Sequence, residues 1–252
     1  MRQYNDERWD FYFAHIDGKP HSTMVNLSLY DVAPIRKLEF FHGIEFALKQ
    51  RHPENGMSVG AEADLLDQIE DFFFQHDHEH LRYVARQTGD GKRKFYFYAS
   101  SNAIAASLHR SLVQAYPDYE ISTFNFADAE WQTYFEDLYP NAMAWNEITN
   151  RWVYQSLEKN GDNLDVPRTI DHNVIFRDEK QAKEFEIAAS KKGFTVTIET
   201  TGLLKKNYDL LLQRTDAPSD LDPITFELSQ MAERYGGQYD GWGCFEVTTN
   251  KA

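Results

Sequence analysis

The chain has 252 residues, room for two small domains at roughly 100–200 residues each, and its 18 Phe, 14 Tyr and 5 Trp rule out a disordered tail. With 26 Lys and Arg against 40 Asp and Glu, the net charge of −14 lacks the basic footprint of direct nucleic-acid binding and disfavours docking on anionic membranes. One cysteine, Cys244, excludes an intrachain disulfide and a cysteine-rich zinc site, and acidic Asp6 and Glu7 stand where a leader needs apolar residues, so the expected compartment is the cytoplasm.

In chain order, Trp9, Phe11 and Phe13, then Val25, Leu27 and Leu29, alternate with their neighbours and predict two strands joined at Asp17-Gly18-Lys19-Pro20. Leu38, Phe40, His42, Ile44, Phe46 and Leu48 hold the even spacing of a half-buried strand, with His42 as a hydrogen-bonded core histidine. From residue 60 the period becomes helical. Ala61, Leu65, Ile69, Phe72 and Phe73 form the apolar stripe, and Glu62, Asp67, Glu70 and Asp71 a solvated acidic face. Strands over 81–88 and 92–99 flank Gly89-Asp90-Gly91, a turn that supplies positive φ; Phe95 and Phe97 share one face, Tyr96 and Tyr98 the other. A helix carrying Ile104, Leu108 and Leu112 and a strand from Tyr119 to Phe126 complete βαββαβ.

Tyr139-Pro140-Asn141 marks a domain edge. Residues 143–159 follow as a helix with Trp145, Ile148, Trp152, Val153 and Leu157 on more than one side, the pattern of a helix packed between two domains. The remainder repeats the scheme. It runs from a strand at His172–Phe176 and a helix with Ala182, Phe185 and Ala189, through strands at 194–200 and 207–214, to a helix with Ile224, Leu228, Met231 and Tyr235 and a last strand from Gln238 to Val247. The expected fold is α+β: two ferredoxin-like βαββαβ sandwiches with mostly antiparallel sheets, residues 1–140 and 160–252, joined by a helix over 141–159.

Chemistry-bearing motifs are few. An extended His76-Asp77-His78-Glu79-His80 would put three imidazoles on one strand face, a zinc-type arrangement, against the plainer reading of a polar turn. No phosphate loop, nucleophile elbow or metalloprotease helix is present, and no cofactor is expected. Cys244 lacks an electropositive neighbour and reads as an inert thiol. Tyr239-Asp240-Gly241-Trp242-Gly243 is more pointed: strict alternation sends Asp240 and Trp242 to one face and Tyr239 to the other, for recognition or for core filling.

Asn160-Gly161-Asp162, Pro167-Arg168, Ile170-Asp171-His172, Phe176, Phe185, Gly193-Phe194, Val196 and Tyr239-Asp240-Gly241-Trp242 together resemble the RraB family, regulator of ribonuclease E activity B, over about residues 155–248. The N-terminal half, through Trp9-Asp10-Phe11-Tyr12, Phe95-Tyr96-Phe97-Tyr98 and Trp131-x-x-Tyr134, is similar to an uncharacterised domain family often fused to RraB-like domains. The resemblance implies a non-enzymatic regulator that binds the endoribonuclease RNase E or another RNA-degradation enzyme, with Tyr239, Asp240, Trp242 and His172 as the candidate partner-binding residues and no catalytic residue. Two other readings stand beside it: a metal-dependent hydrolase using His76, His78 and His80, and an oligomeric ligand-binding module covering a helix-free sheet face. Residues 1–140 carry 13 Lys and Arg against 22 Asp and Glu, net −9, and residues 141–252 carry 13 against 18, net −5. The excess acid is concentrated in the half without an implied activity.

Overall fold

The computed structural model describes residues 3–4, 7–202 and 206–248, so Met1, Arg2, Asn5 and Asp6 of the acidic start lie outside the described residues. The chain divides into two compact units, Met1–Ala144 and Trp145–Ala252. Among the described residues, no helix is long and apolar enough to cross a membrane.

The first unit contains strands β1 (Gln3–Tyr4), β2 (Glu7–Ile16), β3 (Lys19–Asn26) and β4 (Phe40–Ala47), helix α1 (Gly60–Gln75), strands β5 (Leu81–Gly89) and β6 (Lys92–Ala99), helix α2 (Asn102–Ala115) and strand β7 (Ile121–Ala127). They form one antiparallel sheet in the order β1-β2-β3-β5-β6-β4-β7. Its β5-β6-β4-β7 portion with α1 and α2 is the expected ferredoxin-like unit, and the N-terminal hairpin extends it past β5. Asp17 and Gly18, and likewise Asp90 and Gly91, hold positive φ at the two hairpin turns, where the flanking strand twist demands it.

Phe95 and Phe97 face the helices and pack with Ile44, Phe46, Leu66, Ile69, Phe73 and Leu108. On the opposite face, Tyr98 stacks on Trp131 at 3.9 Å and 3°, while Trp131 Nε1 donates to the Leu38 carbonyl at 2.8 Å. Those two contacts hold Trp131 at φ 58, a left-handed backbone that a bulky residue adopts only under tertiary constraint. After Trp131 comes a short π-helical strap, Thr133–Leu138. Tyr12 donates from its hydroxyl to the Leu138 carbonyl at 2.9 Å and Tyr134 to the Asn26 carbonyl at 2.7 Å, tying the strap to β2 and β3.

Three expectations change. Leu27 and Leu29 are buried, but in a 3-10 turn (Leu27–Asp31) rather than a strand, because the Asn26 side chain accepts from the Ser28 amide and caps the turn. Helix α1 has no wholly solvated acidic face. Glu62 and Glu70 are buried: Glu62 accepts from the Lys49 and Gln50 amides at 2.8 and 2.5 Å, and Glu70 from Tyr83 at 2.9 Å and from Arg86 at 2.9 Å. His42 is buried and stacked on Phe97 at 5.3 Å, yet its Nε2 has no hydrogen-bond partner among the described residues; burial pushes its pKa down to about 4.

The second unit follows helix α3 (Ala142–Lys159) with strand β8 (Arg168–Phe176), helix α4 (Glu179–Ser190), strands β9 (Thr195–Thr201) and β10 (Asn207–Asp216), helix α5 (Leu221–Arg234) and strand β11 (Gln238–Cys244). The sheet is antiparallel in the order β11-β8-β10-β9, again ferredoxin-like. Ala182, Phe185 and Ala189 of α4 and Leu228 and Met231 of α5 pack on Val174, Phe176, Leu210 and Leu212. From Trp145 onward, α3 falls within this unit, and its Asn146, Asn150 and Tyr154 bond to the first turn of α5.

Glu70→Ala is expected to destabilise the first unit by about 3 kcal/mol, because Arg86 loses a buried counter-charge and the Tyr83 hydroxyl its acceptor. Urea unfolding of the full chain, followed through the first unit's transition, measures the loss.

Candidate functional site

The last strand does not alternate as its residues suggest. Tyr239 stands opposite Val174, Gly241 opposite Asn173 and Trp242 opposite His172, with a register shift between Tyr239 and Gly241. Asp240 is the extra residue of a β-bulge, and Gly241 supports it with φ 106, where a side chain would be strained. Tyr239 and Trp242 therefore point to the same, helix-covered side. This corrects the expected placement of Asp240 with Trp242: Asp240 is exposed and stands apart from the other three candidates.

The structure brings His172, Tyr239 and Trp242 together inside the unit. His172 Nδ1 lies 2.8 Å from the Tyr239 hydroxyl, and its Nε2 is buried without a hydrogen-bond partner among the described residues. Burial pushes the imidazole down to about 4 and the Tyr239 phenol upward, so at neutral pH this is a neutral ring beside a protonated phenol. Trp242 Nε1 donates to Asn150 Oδ1 at 2.8 Å. Asn150 Nδ2 in turn donates to Asp222 Oδ1 and Thr225 Oγ1, both at 2.8 Å, and Tyr154 donates to the same carboxylate oxygen at 3.0 Å. Asp222 sits in the first turn of α5, where a negative charge complements the helix dipole. Asn150, Tyr154, Asp222 and Thr225 escaped sequence reasoning; the one available signal was Asp222-Pro223 at a helix start.

A second polar knot closes the strand's far end. Arg168 Nη1 donates to both Asp162 oxygens at 2.7 Å and to the Phe245 carbonyl at 3.2 Å. Asp162 Oδ1 also accepts from the Val247 amide at 3.1 Å, and Asn160 Nδ2 donates to Glu246 at 2.6 Å. Burial pushes the neighbouring Cys244 thiol up, away from the thiolate.

Residues 7–139, over half of the chain, match the family described as "Family of unknown function (DUF695)", and residues 147–244 match "Regulator of ribonuclease activity B" (RraB). The chain belongs to the DUF695 family. Its second unit is an RraB domain fused behind the DUF695 unit. No curated protein matches. Among solved structures, one with the provisional name glycine cleavage system transcriptional repressor shares 8% identity over 83% of this chain and 98% of its own, at a TM-score of 0.25, too low to support any argument.

The helix-free face of the RraB sheet follows from the register. Asp171, Asn173 and Ile175 of β8 stand in rows with Gln213, Leu211 and Asp209 of β10, and Glu199 of β9 is opposite Asp209. Gly241 and Gly243 continue the rows on β11, and a Cβ added at either would meet nothing within 4 Å. The outward strand positions carry acids and no Lys or Arg among the described residues, and exposed Asp240 borders them.

In the DUF695 unit the extended run that would align His76, His78 and His80 does not form. His76 caps the end of α1, with Nδ1 2.7 Å from the Phe72 carbonyl, and residues 77–80 turn back, with His78 Nδ1 accepting from the His80 amide at 3.1 Å. Among the described residues, no three His, Cys, Asp or Glu converge to hold a metal ion.

Asn150→Ala is expected to destabilise the RraB domain by about 2–3 kcal/mol, since it strands the Trp242 donor and leaves the Asp222 carboxylate with Tyr154 alone of its two side-chain donors described above, whereas Asp240→Ala stays within about 0.5 kcal/mol of wild type; thermal unfolding separates them. His172 gives a pH signature. Its folded pKa of about 4 lies below the ordinary 6.5, so its contribution is whole above pH 6.5 and is lost as the pH falls toward 4. Stability of the RraB domain therefore rises with pH across that window, and His172→Asn lowers the slope by about one proton in denaturation curves taken at several pH values.

Proposed function

We propose that this chain is a non-catalytic, cytoplasmic, protein-binding regulator of an RNase E-type endoribonuclease, and that it docks through the helix-free face of its RraB sheet. The observation that carries the reading is the use of the family's polar residues. Asp162, Arg168, His172, Tyr239 and Trp242 spend their hydrogen bonds inside the domain, which leaves the open sheet face and Asp240 as the surface they support.

That face suits a basic protein segment. Asp171, Glu199, Asp209 and Asp240 supply negative charge, and the bare backbone at Gly241 and Gly243 allows close approach. RNA-binding regions are basic because they neutralise phosphates, so a segment of that kind is complementary to this face, while RNA itself is repelled by a chain of net −14.

The test is retention of purified RNase E catalytic and scaffold regions on the immobilised full-length chain. Expected is capture at low salt, loss at high salt, and a several-fold weakening in an Asp171→Asn/Asp209→Asn/Asp240→Asn variant. No capture at low salt removes the partner; capture indifferent to the triple substitution removes the face.

A further inference from the structure

The strap of the DUF695 unit does not cover its sheet completely. Between Thr133–Leu138 and β7 lies an open-mouthed cavity of about 470 Å³, within the size range of small-molecule sites. Its floor is aromatic. Phe41 and Tyr96 are stacked at 5.5 Å and 25°, Phe126 is 5.2 Å from Phe41, and Phe124 stands 6.4 Å from Tyr96. Phe124 and Phe126 are exposed for rings of their size, at 36% and 46%, and they rise from an edge strand.

Glycine at position 43 shapes one wall. Gly43 stands opposite both Tyr96 and Phe124, and a Cβ there would come within 2.3 Å of the Phe124 ring. The missing side chain lets the far end of the Phe124 ring lie over β4 at Gly43, where the ring lines the cavity. The other wall is held in place before any ligand arrives. The Asp128 carboxylate accepts from Tyr98 at 2.6 Å and from the Gln132 and Thr133 amides at 2.8 and 3.0 Å, which fixes the start of the strap, and the Tyr12 bond to Leu138 fixes its end.

At the mouth the strap presents Glu136 and Asp137. Both are exposed, and among the described residues neither has a hydrogen bond or ion pair, unlike Glu45 on the same sheet face, which Lys92 and Lys94 neutralise. Among the described residues, no Lys, Arg or His lines the cavity. Ring faces carry the negative side of the aromatic quadrupole, so floor and mouth attract the same kind of ligand. We propose that this cavity binds a small organic cation, an ammonium or guanidinium group on an apolar body, with the body over Phe41, Tyr96 and Phe124 and the charge toward Glu136 and Asp137. This assignment is independent of the ribonuclease reading.

The test is calorimetric titration of the full-length protein with benzyltrimethylammonium and, as the uncharged comparison, benzyl alcohol. The cation is expected to bind about tenfold more tightly than the alcohol, a difference that combines cation–π and carboxylate attraction. A Glu136→Gln/Asp137→Asn variant, altered only at exposed positions and expected to melt as wild type, should erase most of that preference, and Phe124→Ala should weaken both ligands. Equal affinity for the two probes, no binding of the cation, or a preference that survives the double substitution would overturn the proposal.

Discussion

The RraB domain depends on one inserted residue. In an unbroken strand Tyr239 and Trp242 would emerge on opposite faces; the bulge at Asp240 turns both inward, one onto His172 and the other onto Asn150. From those two contacts the rest follows. Tyr239 gives buried His172 a hydrogen-bond partner, and Trp242 holds α3 to α5 through Asn150 and Asp222. The same shift puts Asp240 outside and lines two glycines along the free face, so one backbone irregularity organises both the interior and the proposed docking surface.

A second constraint runs through both units: buried polar groups must be paired, and this chain pairs many of them with acids. Glu62 takes backbone amides at the end of β4, Glu70 takes Tyr83 and Arg86, Asp128 fixes the strap, Asp162 takes Arg168, and Asp222 takes Asn150 and Tyr154. Part of the formal charge is thus structural. Other acids stay exposed, among them Glu136 and Asp137 at the mouth of the DUF695 cavity and Asp240 beside the open RraB face.

The two ferredoxin-like sheets meet the problem of their uncovered faces differently. In the DUF695 unit the face is aromatic, and the strap after Trp131 covers it by stacking and by tyrosine hydroxyl bonds to backbone carbonyls. In the RraB domain it is mostly polar, with Asp171, Asn173, Glu199, Asp209, Gln213 and two glycines around Ile175 and Leu211, and needs no comparable cover. A mostly polar face and an aromatic face that needs a cover differ in the ligands proposed for them, a charged protein segment in one case and an organic cation in the other.

Element order, both hairpin turns and the two βαββαβ units were legible in the residues, because periodicities of two and 3.6 and the Asp-Gly turn chemistry act over a few neighbours. The RraB resemblance was legible too, since its residues keep their spacing along the chain. What local pattern could not decide was which side chains share a space. Strict alternation misplaced Asp240, helical spacing put Glu62 and Glu70 in solvent, and nothing marked Asn150 as the link between Trp242 and Asp222. Each outcome depends on partners distant in the chain, such as Arg86 for Glu70 or Asn150 for Trp242, and on a bulge whose one-residue shift reverses every facing after it. Pairings of that kind exist only once the sheet has closed, and they set the site.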